Sequence, residues 1–281
     1  MTDAAPKYVA ARTVLLDVLE ALGSQREAII LVGAQAIYMH TEDGGITGFA
    51  PYTTDADLAL APSRLADEPH LEKLLEDANF EQKGDPGIWW KTIVIDGTPT
   101  DVEVDIMVPE HFAPPGGRRS VRLPPHDKMI ARKAIGLEGS ILDQDLMEVA
   151  ALDRTDSRQF TIRVAGPAAL IVAKVYKLRD RLADGKLDRI ADKDAADVYR
   201  LMLAIPLREF LRRLRPVMDD ETAGPVCREA IELMVQLFGS RGADGVRMAR
   251  DALRIAVPPE RVIDVCTRFT RQLRQAMMAD G

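Results

Sequence analysis

The 281-residue sequence is poor in the features that mark secreted and membrane proteins. Its two cysteines, Cys227 and Cys266, are far apart and follow no C-x-x-C pattern, which excludes a disulfide-stabilised scaffold and a cysteine zinc site. No run approaches the roughly 18 apolar residues that a membrane helix requires. The N-terminal residues also lack the basic and apolar regions of an export signal. The sequence therefore predicts a cytoplasmic protein that does not associate with membranes.

Common nucleotide-binding and zinc-binding motifs are missing as well. The sequence contains neither G-x-x-x-x-G-K-[ST] nor G-x-G-x-x-G, which excludes a P-loop and a Rossmann dinucleotide site. The four histidines, at positions 40, 70, 111 and 126, have no spacing typical of a zinc site or a catalytic triad. A hydrophobic content of 47% nevertheless predicts a globular protein with a sizeable core.

Residues up to 165 have the hydrophobic pattern of a small α/β unit. Short apolar or alternating runs predict strands at AIILVG, TTDADLALA, WWKTIVI, DVEVDIMV and FTIRVAG. Asp96-Gly97 is a good turn signal between two of these strands, and the Gly-rich segment 41–52 is expected to be a loop. Helical spacing predicts helices at 8–22, 34–40, 63–79 with Ser63 as N-cap, and 126–139.

Helical periodicity dominates after residue 165. Pro167 is placed to begin the helix PAALIVAKVYKLRDRL, and further helices are predicted at 192–204, 207–216, 221–239, 241–255 and 259–278. We therefore predict an α+β fold, with a small mixed-sheet core over residues 1–165 and a C-terminal helical bundle over residues 166–281. Acidic residues predominate in residues 1–150 and basic ones in residues 151–281. This asymmetry is compatible with a metal-dependent enzyme that acts on a polyanion, but composition alone favours ordinary solvated surface charge.

Two acidic strands are the most informative feature of the sequence. Asp55 and Asp57 are two residues apart in one strand, and Asp101, Glu103 and Asp105 alternate in another, so each set lies on one strand face. Neighbouring carboxylates repel unless a cation lies between them. Mg²⁺ prefers carboxylate and phosphate oxygens, and it supports in-line displacement at phosphorus. The pattern predicts Asp55 and Asp57 as Mg²⁺ ligands, with acids that merely face water as the alternative.

The order of these elements resembles a known family. Gly33-Ala34 after an apolar run, Asp55-x-Asp57 and a later acidic strand are similar to the nucleotidyltransferase fold of polymerase-beta type. Two later segments, AKVYKLRDR at 173–181 and DKDAADV at 192–198, resemble the AbiEii-type toxins of bacterial toxin–antitoxin systems, which carry a helix lysine followed by a K-D-x-x-D segment. The resemblance spans approximately residues 28–203.

The sequence departs from the family pattern at two places. The first family motif is usually Gly-Gly or Gly-Ser, whereas this chain has Gly33-Ala34 and so lacks a serine hydroxyl near the triphosphate. Family members often carry an arginine shortly before D-x-D, where this chain has Tyr52 and Thr53. Both departures concern the handling of the nucleotide.

The resemblance implies a set of catalytic and metal-binding residues. Asp55 and Asp57 are expected to be catalytic metal ligands, and Asp105 is the preferred third ligand, with Asp101 and Glu103 as alternatives. Lys174 is expected to neutralise the triphosphate as pyrophosphate leaves. Asp194 either orients Lys174 or accepts a proton from the attacking hydroxyl.

The nucleotide contacts implied by the resemblance come from three segments. Gly33 and Ala34 are small enough to let the backbone approach a phosphate, and Thr54 precedes the acidic pair. Lys177 shares a helix face with Lys174 and competes with it for the phosphate contact. A lysine that merely extends from a surface helix is the alternative for both.

The implied function is a Mg²⁺-dependent nucleotidyltransferase toxin that transfers NMP from an NTP to the 3′ end of tRNA and is restrained by a cognate antitoxin. The mycobacterial toxins that modify tRNA in this way are the functional counterpart. Arg212 and Arg213 are expected to contribute to an RNA surface. Nucleotidyl transfer to a small molecule or a protein hydroxyl, and a non-catalytic protein that binds a cation or a basic partner, are the alternatives.

Overall fold

The structure of the protein is a computed structural model that describes residues 5–41, 52–95, 97–115, 119–185 and 189–279. Residues 42–51 of the predicted Gly-rich loop and Asp96 of the predicted turn lie outside the described residues. None of the helices within the described ranges is long and apolar enough to cross a membrane.

Eight strands of the described chain form one mixed sheet. Their order is β3-β4-β5-β2-β1-β8-β7, and β6 pairs with β5 outside this path. β2 and β5 are parallel neighbours, as are β1 and β8, whereas β1 and β2 run antiparallel. The strands are β1 (Ile29–Val32), β2 (Asp55–Leu60), β3 (Glu81–Gln82), β4 (Ile88–Ile95), β5 (Thr98–Pro109), β6 (Arg132–Ala134), β7 (Gln144–Ala150) and β8 (Gln159–Ala165).

Helices cover the sheet and form the C-terminal bundle. They are α1 (Pro6–Leu22), α2 (Gly33–Thr41), α3 (Leu71–Asp77), α4 (Pro167–Ala183), α5 (Arg189–Ala204), α6 (Leu207–Asp219), α7 (Ala223–Phe238), α8 (Asp244–Leu253) and α9 (Pro259–Ala279). α4 and α5 contact each other and α2, which brings the bundle against the sheet core. The predicted α+β class is confirmed, and the predicted boundary at residue 165 falls between β8 and α4.

One face of the sheet is covered by α1. The alternate side chains of β2 and β5 on this face are buried, namely Ala56, Leu58, Val102 and Val104. Lys91 of β4, opposite Val102 in register, pairs with Asp17 of α1 at 2.7 Å, which places α1 on this face. Successive strand residues point to opposite faces, so the acidic residues of β2 and β5 lie on the other face.

The predicted helix over residues 63–79 is wrong for its first half. Residues 62–64, including Ser63, form a short 3₁₀ turn, and α3 begins only at Leu71. Pro69 has no N–H and disfavours the helical conformation of the residue before it. The amide of Gln25 instead donates to the carbonyl oxygens of Ala66 and Pro69, at 2.8 and 2.9 Å.

The predicted helix over residues 126–139 is also wrong. This segment contains β6, followed by a 3₁₀ turn at Glu138–Ile141. Gly136 has a φ of +90°, which interrupts any continuous helix at this point. β7 was not predicted at all, because only Val149 among its seven residues is buried and the strand lacks an alternating pattern.

Candidate active site

The parallel register of β2 and β5 brings the predicted acidic residues together. Asp57 lies opposite Asp105 and Asp55 opposite Glu103, so all four carboxylates project from the face that α1 leaves uncovered. Asp101 lies further along β5, where it is exposed and accepts a hydrogen bond from the Thr92 hydroxyl at 2.5 Å. Glu103 and Asp105 are therefore the β5 acids that face the Asp55–Asp57 pair.

Gly33 lies directly against Asp57. It follows β1, whose last residue pairs with Asp57, and it begins α2 with a φ of +68°. A Cβ atom at this position would lie 1.9 Å from Asp57 Oδ2. The sequence predicted that a residue without a side chain is needed here for contact with a phosphate. The structure shows that the Asp57 carboxylate occupies the space that a Cβ atom would fill, so glycine is required for this reason as well. Ala34 is buried in the first turn of α2.

Gly33→Ala should displace the Asp57 carboxylate. In the activity that the sequence resemblance implies, nucleotidyl transfer assayed with labelled NTP, we expect a fall of at least about a hundredfold, because a shift of about 1 Å in a reacting group has this effect. Gly185→Ala is a matched control, since Gly185 has a φ of +67° but no atom within 4 Å of the added Cβ. Equal activity of the two variants would contradict a steric role for Gly33.

The carboxylates destabilise one another's ionised forms. Burial and the neighbouring Asp55 carboxylate raise the pKa of Asp57 to about 6, against a smaller opposing effect of Lys177. Burial and Asp105 likewise raise the pKa of Glu103. A cation at this face would remove the cost of ionising Asp57, so the electrostatics of the site favour binding of a positively charged group.

The metal-free protein should lose stability as the pH rises from about 4 to about 6. The folded state retains the Asp57 proton up to a pKa of about 6, whereas the ordinary value is 3.8. The folded state thus binds more protons in this window, and the free energy of unfolding decreases as the pH rises. The effect amounts to about 3 kcal/mol at most. Urea unfolding across this range should show the decrease in the wild-type protein relative to Asp57→Asn. If the free energy of unfolding changed equally with pH in the two proteins, the raised pKa of Asp57 would be contradicted.

Asp105 is engaged by an arginine that sequence analysis missed. Arg132 of β6 binds the carboxylate with two donors, Nε to Oδ1 at 2.9 Å and Nη2 to Oδ2. The Asp105 side chain is 9% exposed and that of Arg132 is 32% exposed. Arg132 was overlooked because its segment was predicted to be a helix, which would not have placed it beside β5.

Lys174 is buried in an ion-paired cluster between α4 and α5. Its Nζ lies 2.6 Å from Asp194 Oδ1 and 2.8 Å from Asp197 Oδ2, and Arg181 Nη2 lies 3.2 Å from Asp194 Oδ2. Burial lowers the pKa of Lys174, but the two carboxylates outweigh it and raise the pKa well above its usual value. Burial raises the pKa of Asp194, but Lys174 and Lys177 outweigh this effect and lower the pKa to about 2. Asp194 is therefore a weak proton acceptor.

Lys177 has a different environment from Lys174. It is exposed one turn further along α4 and faces the acidic residues closely enough to lower the pKa of Asp57. The sequence left open which lysine contacts phosphate, and the exposure of Lys177 favours it for a direct contact. Asp197 shares the ion pair with Asp194, although sequence analysis gave it no site role.

The residues before the D-x-D pair contact it through Thr53. Thr53 is fully buried, and its hydroxyl donates to Asp55 Oδ1. Lys193 Nζ donates to the Thr53 hydroxyl at 3.4 Å, so α5 contacts the acidic strand here. Thr54, which sequence analysis favoured, is exposed. Alternation along the strand could have identified Thr53 as a site residue, because it places Thr53 on the same face as Asp55.

Two cavities meet at Asp57. One has a volume of about 300 Å³ and is lined by apolar side chains such as Leu137 and Leu170 as well as by Gly33 and Lys174. The other has a volume of about 520 Å³ and contains Asp55, Glu103 and Asp105. Four residues line both cavities: Asp57, Arg132, Lys133 and Lys177. A substrate that extends across Asp57 would thus contact three cationic side chains.

The donor set fits Mg²⁺ with two protein carboxylates. Within the described ranges, no group of three or more His, Cys, Asp or Glu side chains is arranged to hold a metal ion alone. Asp105 is engaged by Arg132, which leaves Asp55 and Asp57 as neighbouring carboxylates. One or two carboxylates completed by water and substrate phosphates are usual for Mg²⁺. Asp55 and Asp57 would therefore hold the ion together with a phosphate-bearing substrate.

The arginines predicted to form an RNA surface are ion-paired within the protein. Arg213 binds Asp143 at 2.9 Å, Asp145 at 2.7 Å and Glu209 at 2.9 Å, which ties α6 to the segment that begins β7. Arg212 pairs with Glu209 at 2.5 Å. The structure thus gives Arg213 a role in packing that the sequence did not predict.

Comparisons with protein-family models, with curated proteins and with solved structures find no significant match to this chain.

Proposed function

We propose that the protein is a Mg²⁺-dependent nucleotidyltransferase that transfers NMP from an NTP to a hydroxyl group. The observation that carries the proposal is the position of the Asp55–Asp57 pair. It lies on the open face of the sheet, beside the start of α2 at Gly33 and beside Lys177. Carboxylates for a metal, a helix start and a cation suit a polyphosphate substrate.

The residues of the site have distinct roles in this reaction. Mg²⁺, held by Asp55 and Asp57, would neutralise phosphate charge and help to align the reacting oxygens. The N–H groups at the start of α2, which have no acceptor within the helix, and the ammonium group of Lys177 would bind phosphate oxygens. Lys174 and Asp194 would hold α4 and α5 in place through their ion pair.

The transfer step requires a proton acceptor on the same face. The acceptor hydroxyl oxygen attacks the α-phosphorus, the bond to pyrophosphate breaks, and the hydroxyl proton is released. Glu103 lines the cavity that contains the carboxylates, and its pKa is raised by burial and Asp105. Its basicity makes it a better proton acceptor than Asp194, whose pKa is lowered to about 2.

The acceptor and the cellular role follow from the resemblance to the AbiEii-type family. We propose the 3′ end of tRNA as the acceptor, growth arrest as the consequence and a cognate antitoxin as the restraint, in the cytoplasm. The cationic side chains Arg119, Lys133, Lys177 and Arg181 around the larger cavity support a polyanionic acceptor.

The test is incubation of the 281-residue chain with each labelled NTP, Mg²⁺ and total RNA. We expect label in tRNA from at least one NTP and none when EDTA is added. Label in protein or in a small molecule would assign a different acceptor. Absence of label with every NTP would contradict the enzymatic function and favour a non-catalytic protein that binds a cation or a basic partner.

A further inference from the structure

We propose that Arg132 is a phosphate-binding residue and that Asp105 positions it instead of serving as a third metal ligand. This inference rests on the proposed function and deepens it. It departs from the sequence expectation for Asp105, and it assigns a role to an arginine that no motif indicated.

The pairing of the two side chains leaves Arg132 with unused donors. A guanidinium group has five N–H donors in a planar arrangement and no acceptor. The described hydrogen bonds use Nε and Nη2, to Asp105 and to the Met107 sulfur, which leaves the two donors of Nη1. Asp105, by contrast, has one oxygen engaged by Nε and the other by Nη2. Arg132 also neutralises the charge of the Asp105 carboxylate, which makes Asp105 a weaker ligand for a cation than Asp55 or Asp57.

Arg132 also lies beside the position that a polyphosphate would occupy if it extended across Asp57. It lines both the smaller and the larger cavity, together with Asp57 and Lys177. Its guanidinium group presents a planar fork that matches phosphate oxygens, and it stays charged at any relevant pH. A polyphosphate that spans the two cavities would therefore contact Lys177 and Arg132 beside the carboxylate pair.

The backbone of Arg132 is held in a fixed place. Gly87 has a φ of +81°, and a Cβ atom there would lie 2.8 Å from the Arg132 nitrogen and 2.4 Å from the Ile106 oxygen. β6 pairs with β5 from Met107 onwards, two residues beyond Asp105. A fixed backbone and a carboxylate partner pre-organise the guanidinium group, which reduces the entropic cost of binding an anion.

The test measures phosphate binding and metal binding separately. Calorimetric titration with inorganic tripolyphosphate reports the first, and titration with Mn²⁺ followed by electron paramagnetic resonance reports the second. Arg132→Met should weaken tripolyphosphate binding at least about tenfold, because a hydrogen-bonded charge pair is lost. The same variant should bind Mn²⁺ more tightly than the wild-type protein, because the Asp105 carboxylate is released and a nearby cation is removed.

Further variants separate this proposal from a purely structural role. Asp105→Asn should lose much less Mn²⁺ affinity than Asp57→Asn, because the Asp57 carboxylate is the proposed metal ligand. Lys73→Met is the control, because it removes one cation from the exposed side of α3. It should change neither the tripolyphosphate titration nor the Mn²⁺ titration. If Arg132→Met does not fold, Asp105→Asn combined with Arg132→Met removes both charges, and its tripolyphosphate binding should be weak for the same reason.

Two results would overturn the inference while leaving the proposed function intact. One is tripolyphosphate binding by Arg132→Met that equals binding by Lys73→Met. The other is a loss of Mn²⁺ binding in Asp105→Asn as complete as that in Asp57→Asn. Wild-type protein that binds neither Mn²⁺ nor tripolyphosphate would overturn both the inference and the proposed function.

Discussion

Replacing Asp57 by asparagine is expected to reduce nucleotidyl transfer at least about a thousandfold, since a metal contributes several kcal/mol to such transition states and each 1.4 kcal/mol or so is tenfold in rate. The variant keeps the shape of the side chain but removes the charge that would hold Mg²⁺. Its fold should be intact and its metal-free form more stable at pH 7.5, because the repulsion between Asp57 and Asp55 is gone.

Asp101→Asn is the matched control for Asp57→Asn. Asp101 belongs to the same group of acidic strand residues, but it is exposed and bonded to Thr92 at 2.5 Å. Steady-state transfer rates and thermal unfolding with and without Mg²⁺ should separate the two variants. Mg²⁺ should raise the unfolding temperature of the Asp101 variant but not that of the Asp57 variant. Asp57→Asn with more than about a tenth of wild-type activity would refute metal ligation by Asp57.

Lys174→Met is expected to destabilise the fold by about 3–5 kcal/mol, because it leaves Asp197 buried without this lysine and leaves Asp194 with Arg181 alone. Asp194 is 3% and Asp197 1% exposed, so water cannot replace the lysine. Urea unfolding should show the loss as a lower midpoint. Transfer activity should fall as well, since α4 carries Lys177 beside the carboxylates.

Lys177→Met separates the two lysines. Its exposed ammonium group contributes little to stability, so the free energy of unfolding should change by less than about 0.5 kcal/mol. The transfer rate should nevertheless fall, because the variant lacks a cation that lines both cavities. Equal losses of stability in the two variants would contradict the assignment of Lys174 to the buried ion pair.

The strands and helices that the sequence predicted well are those with a clear period. Alternation of buried and acidic residues in β2 placed Asp55 and Asp57 on one face, and Asp105 shares that face through the parallel pairing with β5. Helical spacing from α4 to α9 predicted the bundle, because each of these helices buries one apolar face. Local periodicity is enough to predict a helix or strand where one side of the element is packed and the other is exposed.

The parts that the sequence did not predict depend on contacts between distant residues. β6 has three residues, of which only Ala134 is apolar, so it carries no alternating pattern. The apolar residues of the surrounding segment 126–139 are spaced as in a helix, and only its pairing with β5 makes β6 a strand. The pairing of Arg132 with Asp105 follows from that arrangement and has no local signal. The ion pair of Lys174 with Asp197 requires the packing of α4 on α5, which a single sequence does not encode in its periodicity.

The junction of the two cavities at Asp57 bears on the kinetic order of the reaction. A polyphosphate that spans the cavities of about 300 and 520 Å³ would leave the rest of the larger cavity for an acceptor, so the two proposed substrates would be bound at the same time. In the proposed reaction, transfer would then proceed directly between the two substrates in a ternary complex, with no nucleotide attached covalently to the protein. Water is the competing acceptor in such a complex. If the proposed function holds, binding of the acceptor in the larger cavity before turnover would decide whether the NTP is used for transfer or lost to hydrolysis.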